Sequence, residues 1–328
     1  MQLTYPSATS RESQRFYDRH WVGRLVLALV CVVWGSTFAL NKLALEHIGV
    51  FAFLALRFAL AYVVMAIVGI WWYARHRGAW RTLLRPQRAT LIPGVFLFLS
   101  YALQTLGLRQ ISPATSGFIT GLSVVLVPLL GILFRQPIRA RQAVASLVAL
   151  VGLGLVSAPL GTGETGGDLL TVGCAVAVAL QILFTEGLVR THRVPPFKLV
   201  LDQIFIVAVL SGALSLVLDT RPPSHSFSLA TMTAPIVLIA IVVTAIFATA
   251  VAFVAQTHYQ RTISSSELVI IFNLEPLFAF IFGVLLTATV PTALQLSGGA
   301  VIIAAMMISA LGIRGAQSDL DQRGDLEP

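Results

Sequence analysis

Apolar runs alternate with short polar breaks along almost the whole chain. A helix needs about 20 mostly apolar residues to cross a hydrocarbon core about 30 Å thick. Ten runs meet or approach that length: 24–45, 49–73, 91–108, 112–134, 142–158, 168–189, 198–218, 234–257, 264–286 and 291–313. The breaks include Arg75–Arg88, Arg135–Arg141, Gly161–Gly167 and Arg221–Ser228, and Pro113, Pro195, Pro196 and Pro291 mark further turns. The pattern predicts an all-α integral membrane protein with ten transmembrane helices.

Composition strengthens this reading. Only 11% of the 328 residues are charged and 57% are hydrophobic. Soluble domains carry about a quarter charged residues to face water. Here the apolar excess must face lipid, so the bilayer is the expected partner. Cys31 and Cys174 each lie inside an apolar run, which does not indicate a disulfide framework.

The net charge of +8 raises the question of nucleic acid. The basic residues, however, sit in short breaks between apolar runs and not on one domain. With both termini in the cytoplasm, 18 of the 22 Lys and Arg fall on that side. Lys42, Arg109 and Arg221 fall outside, and Arg57 lies within a span. That asymmetry follows the positive-inside rule. It predicts a multi-pass protein of a bacterial-type inner (plasma) membrane and no nucleic-acid partner. Residues 1–23 and 314–328 are polar and are expected to be cytoplasmic tails.

Two stretches look alike. Ile111-Ser-Pro-Ala-Thr-Ser leads to Pro128 and an apolar run after Pro137; Ile263-Ser-Ser-Ser-Glu leads to Pro276 and an apolar run after Pro291. They cover spans 4–5 and spans 9–10. Five spans per copy is an odd number, so the second copy must enter the membrane from the opposite side. This predicts two inverted repeats, 24–158 and 168–313, an arrangement secondary transporters use for alternating access.

The chain resembles the EamA-type branch of the drug/metabolite transporter superfamily. The resemblance is carried by Trp34-Gly35-Ser36-Thr37-Phe38, Leu56-Arg57-Phe58, Leu103-Gln104-Thr105, Ser112-Pro113-Ala114-Thr115-Ser116-Gly117-Phe118 and Leu274-Glu275-Pro276. It covers roughly residues 24–313. Family members often carry a Glu in the loop between the last two helices of each repeat, whereas the corresponding loops here read Phe134-Arg135-Gln136-Pro137 and Leu286-Thr287-Ala288-Thr289-Val290-Pro291. The resemblance implies ten helices around a central cavity between the halves. It also implies export or import of a small metabolite; a secondary exporter of an amino acid or amphipathic drug is the expected function.

Polar groups at mid-depth in a membrane usually face protein or a water-filled cavity. Glu275 is 11 residues past Ser264, which places it roughly 16 Å into the bilayer at about 1.5 Å per residue. Pro276 follows it and frees a backbone carbonyl one turn earlier. Arg57 is eight residues past Gly49, roughly 12 Å from the outer face. The matching depths leave an ion pair open, or a coupling role for Glu275, because depth does not fix adjacency. Trp34, Ser36 and Thr37 flank Gly35, where a small residue lets a helix or ligand approach. Gln104, Thr120, Gln181 and Asn273 are uncharged hydrogen-bonding groups. Trp34, Ser36, Thr37, Gln104, Thr120, Gln181, Asn273 and Glu275 are candidates for a substrate-cavity wall, with interhelical glue the alternative for each.

Chemistry on covalent bonds is not indicated. The six His show no metal-ligand spacing, and neither His-Glu-x-x-His nor Gly-x-Ser-x-Gly occurs. Gly161–Gly167 lacks the Lys-Ser/Thr of a phosphate loop. No catalytic residue, metal or cofactor is expected, and a proton or solute gradient is the expected energy source. The competing class is a membrane enzyme or accessory subunit acting on a lipid-linked substrate.

Overall fold

The computed structural model describes residues 10–75, 83–134, 140–156, 165–191, 193–219, 234–259, 268, 271–272, 274–288, 291–305 and 307–308. Among them every regular element is helical. Seven helices are long and apolar enough to cross a membrane. They are α1 (Ser10–Ala44), α2 (Val50–Arg75), α3 (Leu91–Leu108), α4 (Pro113–Phe134), α6 (Thr165–Arg190), α7 (Pro196–Leu218) and α8 (Pro235–Tyr259). Three shorter apolar helices are α5 (Ala140–Val156), α9 (Leu274–Thr287) and α10 (Ala293–Ala305).

Proline sets several helix starts. Pro113, Pro196 and Pro235 occupy first-turn positions, where a missing N–H costs nothing. Ser112 caps α4, its hydroxyl accepting from the Thr115 N–H at 3.1 Å. α4 breaks at Leu122, carries Pro128 inside its second segment, and tightens into a 3₁₀ turn over Gly131–Phe134. Lys42, at the end of α1, donates to the carbonyls of Leu108, Arg109 and Ile111 and so satisfies the end of α3.

Helix bounds fall within a few residues of the sequence-based runs for α2 through α8. α1 differs, since helix begins at Ser10, ahead of the membrane-crossing stretch that starts at Trp21. No Gly or Pro stands between Ser10 and Val22 to stop it.

The densest packing pairs α3 with α6, α2 with α7, and α1 with α9. Several of the strongest contacts among the described residues recur when α1–α5 are exchanged with α6–α10. The α1–α9 contact corresponds to α6–α4, α3–α6 to α8–α1, and α3–α7 to α8–α2. The α2–α7 and α4–α9 contacts map onto themselves. Two large apolar cores result. One joins Phe53, Leu54 and Phe58 of α2 to Leu97, Leu201, Ile204 and Ala240. The other joins Ile119 and Val124 of α4 to Ala149, Ile182 and Ile302. The outer faces are also apolar: Val63 and Ile67 on α2, and Leu147, Leu150 and Val151 on α5, are at least half exposed. Faces this apolar need lipid against them.

The glycine beside Trp34 is a close-approach point. A Cβ on Gly35 would overlap the Phe278 Cβ and lie 2.8 Å from the Ala279 nitrogen. A Cβ on Gly117 of α4 would lie 2.5 Å from the Ala279 Cβ. Glycine at both positions lets α1 and α4 close onto α9 at Ala279, directly below Glu275 and Pro276.

Candidate functional site

A cavity of ≈ 70 Å³ lies where α1, α3, α4, α6, α8 and α9 converge, between the two cores. From α1 it takes Trp34, Thr37 and Phe38, and from α3 Leu97, Ser100, Tyr101 and Gln104. Residues 120–124 include the liners Thr120, Ser123 and Val124, and α6 adds Val178, Gln181 and Ile182. Phe253, Gln256, Phe272 and Glu275 close it from α8 and the α9 segment.

The aromatic wall is held by direct contacts. The Trp34 indole N–H donates to the Ala248 carbonyl at 2.7 Å. Its ring lies 5.6 Å from that of Phe253 and 5.0 Å from that of Phe272. Tyr101 continues the cluster, 6.2 Å from Phe253. Ala248 belongs to a π-helical turn, Thr244–Val251, within α8. Such widened turns re-aim backbone groups and recur at functional positions.

Arg57 uses the next residue of that turn. Its side chain is fully buried, and its Nε donates to the Thr249 hydroxyl at 3.0 Å. Its guanidinium lies 4.7 Å from the Tyr101 ring centre and 5.2 Å from that of Phe58, with a long 3.4 Å bond to the Tyr101 hydroxyl. Ring faces and hydroxyls hold this cation. No ion pair joins Arg57 to Glu275 among the described residues, and Arg57 does not line the cavity.

The other sequence candidates divide. Trp34, Thr37, Gln104, Thr120, Gln181 and Glu275 come together as cavity liners. Ser36 does not, since its hydroxyl donates to the Val33 carbonyl within α1. Asn273 lies outside the described residues. Gln104 donates to Thr120 at 3.3 Å, tying α3 to α4, and Gln181 donates to Gln203 at 2.8 Å, tying α6 to α7. These two glutamines are therefore interhelical glue and cavity wall at once.

Sequence reasoning passed over Tyr101, Phe253, Gln256 and Phe272. Tyr101 had a signal: it stands three residues before Gln104 and so shares its helical face. Gln256 was legible as a polar residue in an apolar run. Nothing in Thr244–Val251 signals the π turn that supplies Ala248 and Thr249.

Charged residues at the helix ends have structural work. Lys198 pairs with Asp202 and donates to the Arg85 carbonyl at 2.7 Å. Asp202 also accepts from the Gln87 N–H and the Thr90 hydroxyl, both at 3.1 Å, fixing the start of α3. At the other end of α7, Asp219 accepts from the Ala52 N–H at 2.6 Å and caps α2.

Apolar outer faces, seven spanning helices and a polar cavity between two helical sets define a multi-pass membrane protein. The model of the EamA-like transporter family matches residues 21–158 and again 165–311. An uncharacterized transporter of Archaeoglobus fulgidus is 30% identical over 290 residues, covering 88% of this chain and 86% of that protein. A solved crystal structure, 18% identical, covers 88% of this chain and 97% of its own with a TM-score of 0.63, and shares the fold. The chain belongs to the EamA-like transporter family and is a transporter.

Proposed function

We propose that the chain is a secondary transporter, working as an exporter of a small metabolite such as an amino acid or amphipathic drug. In this reading α5, α9 and α10 complete ten spans, and α1–α5 and α6–α10 are inverted repeats. Both termini lie in the cytoplasm of a bacterial-type inner membrane, and a proton or solute gradient drives the cycle. The observation that carries the reading is the cavity itself, walled by α1, α3 and α4 from one half and α6, α8 and α9 from the other. The exchange symmetry of the helix contacts supports two equivalent halves.

The size of the cavity adds a mechanistic constraint. Small-molecule sites usually occupy about 300–1,000 Å³, well above the ≈ 70 Å³ here. Substrate binding therefore requires the halves to separate. Rocking of one repeat against the other supplies that motion on alternate sides.

The test is counterflow. Purified full-length protein in proteoliposomes, preloaded with an unlabelled solute, should accumulate the labelled form. Amino acids and amphipathic drugs are the first solutes to screen. Solute movement equal to that of protein-free vesicles across the whole panel, with the protein folded, would overturn the reading. Turnover of a lipid-linked substrate by the same preparation would establish the enzyme class in its place.

A further inference from the structure

The hydrogen-bond inventory of the cavity is lopsided. Its donors are largely engaged within the protein. Trp34 N–H goes to Ala248, the Thr37 hydroxyl to Trp34, and the Ser100 hydroxyl to Leu97, each at 2.7 Å. The amides of Gln104 and Gln181 donate to Thr120 and to Gln203 and Thr185.

Two of its acceptors have no partner among the described residues. Gln256 is 2% exposed, and its Oε1 is buried with no hydrogen-bond partner. Glu275 lines the same cavity and makes no hydrogen bond or ion pair with any described residue. A buried polar group without a partner is costly, and an acidic side chain within a membrane-spanning bundle is costly as well. A ligand that brings donors and positive charge would satisfy both.

The surrounding surface favours the same ligand. Trp34, Tyr101, Phe253 and Phe272 present a run of rings beside the carboxylate, and ring faces attract cations. Glu275 is the one acidic side chain among the described liners, and none of them is basic. The nearby cation, Arg57, is covered by Tyr101 and Phe58 and is not offered to the cavity. A ligand carboxylate would thus be desolvated with no positive partner.

We propose that this cavity selects primary-amine monocations that carry an aromatic or alkyl body and no carboxylate, with the ammonium between Glu275 and Gln256. The proposal rests on the transporter reading for its physiological meaning, while binding can be measured without transport.

Phenethylamine, phenylalanine and 3-phenylpropionate share one ring and differ in charge: cation, zwitterion and anion. Isothermal titration on detergent-purified full-length protein at neutral pH should show phenethylamine binding at least about tenfold more tightly than either other compound, since only it buries no unpaired carboxylate. Glu275→Gln should abolish that preference and Glu275→Asp should retain it. The melting temperature of each variant without ligand reports folding, and the charge series on the unmodified chain stands without any variant. Equal or tighter binding of phenylalanine or 3-phenylpropionate, or no binding of phenethylamine, would overturn the proposal. So would an intact preference in a folded Glu275→Gln variant. Proteoliposomes separate the two readings. Phenethylamine that binds but is not carried defeats transport alone, whereas carried phenylalanine with inert phenethylamine defeats the cation preference alone.

Discussion

The Arg57 guanidinium sits 4.7 Å from the centre of the Tyr101 ring, and Tyr101, not Arg57, forms the wall of the central cavity. The cation therefore acts on the site through an aromatic ring. A desolvated cation–π contact is worth about 2 kcal/mol or more. Arg57→Leu should strand Tyr101 and Thr249 and lower both melting temperature and transport. Tyr101→Phe keeps the ring and loses only the long 3.4 Å bond, so it should cost under about 1 kcal/mol. Thermal unfolding in detergent, paired with counterflow, checks both. Equal losses in the two variants would show that the hydroxyl, and not the ring face, carries the contact.

Gly35 should tolerate no side chain. A Cβ there collides with α9 at Phe278 and Ala279, whereas Gly212 on α7 faces open space. Overpacking typically costs about 1–3 kcal/mol. Exchanging a helical glycine for alanine in free space gains roughly 0.5–1 kcal/mol. Gly35→Ala should therefore lower the melting temperature while Gly212→Ala holds or raises it. Matching melting temperatures would remove the close α1–α9 approach.

The buried Lys198–Asp202 pair ties the start of α7 to the turn that begins α3. Removing one partner of a buried pair typically costs about 3–5 kcal/mol, because the other charge is left uncompensated. Asp202→Asn and Lys198→Met should each be strongly destabilising, and the double variant less so than their sum. A double-mutant cycle on melting temperatures measures this. Additive effects would mean that the backbone contacts, not the ion pair, hold the turn.

Reporter fusions after Gly166 and after Arg193 should report opposite sides, periplasm and cytoplasm respectively. The basic asymmetry of the sequence motivates this, and all of α6 (Thr165–Arg190) but its first two residues lies between the two points. The same side for both fusions would refute the proposed topology.

If Glu275 carries the coupling proton, Glu275→Gln should abolish gradient-driven uptake in proteoliposomes yet permit solute exchange, because exchange need not discharge the proton. A solely structural Glu275 would be replaced well by Gln, which matches its size and hydrogen-bonding capacity. Full gradient-driven activity in the variant would end the coupling role.

The sequence by itself determined the membrane class, the apolar runs and the polar residues worth inspecting. Length, hydropathy and Pro or Arg punctuation are local properties, so α3 could be read to its end residues at Leu91 and Leu108. Depth along a helix is local too, and it singled out Arg57 and Glu275 from among many polar residues. Adjacency was decided only by the tertiary structure. Whether two residues at equal depth meet depends on which helices pack and how each is rotated, and Arg57 turned toward Tyr101 and Thr249. Glu186 makes the same point: its place near the end of α6 does not reveal that it is buried and paired with Arg190 at 2.9 Å. The π turn in α8 left no mark on composition or periodicity, because one extra residue per turn changes backbone direction without changing hydropathy. It is that turn which aims Ala248 at Trp34 and Thr249 at Arg57, and so shapes the cavity wall.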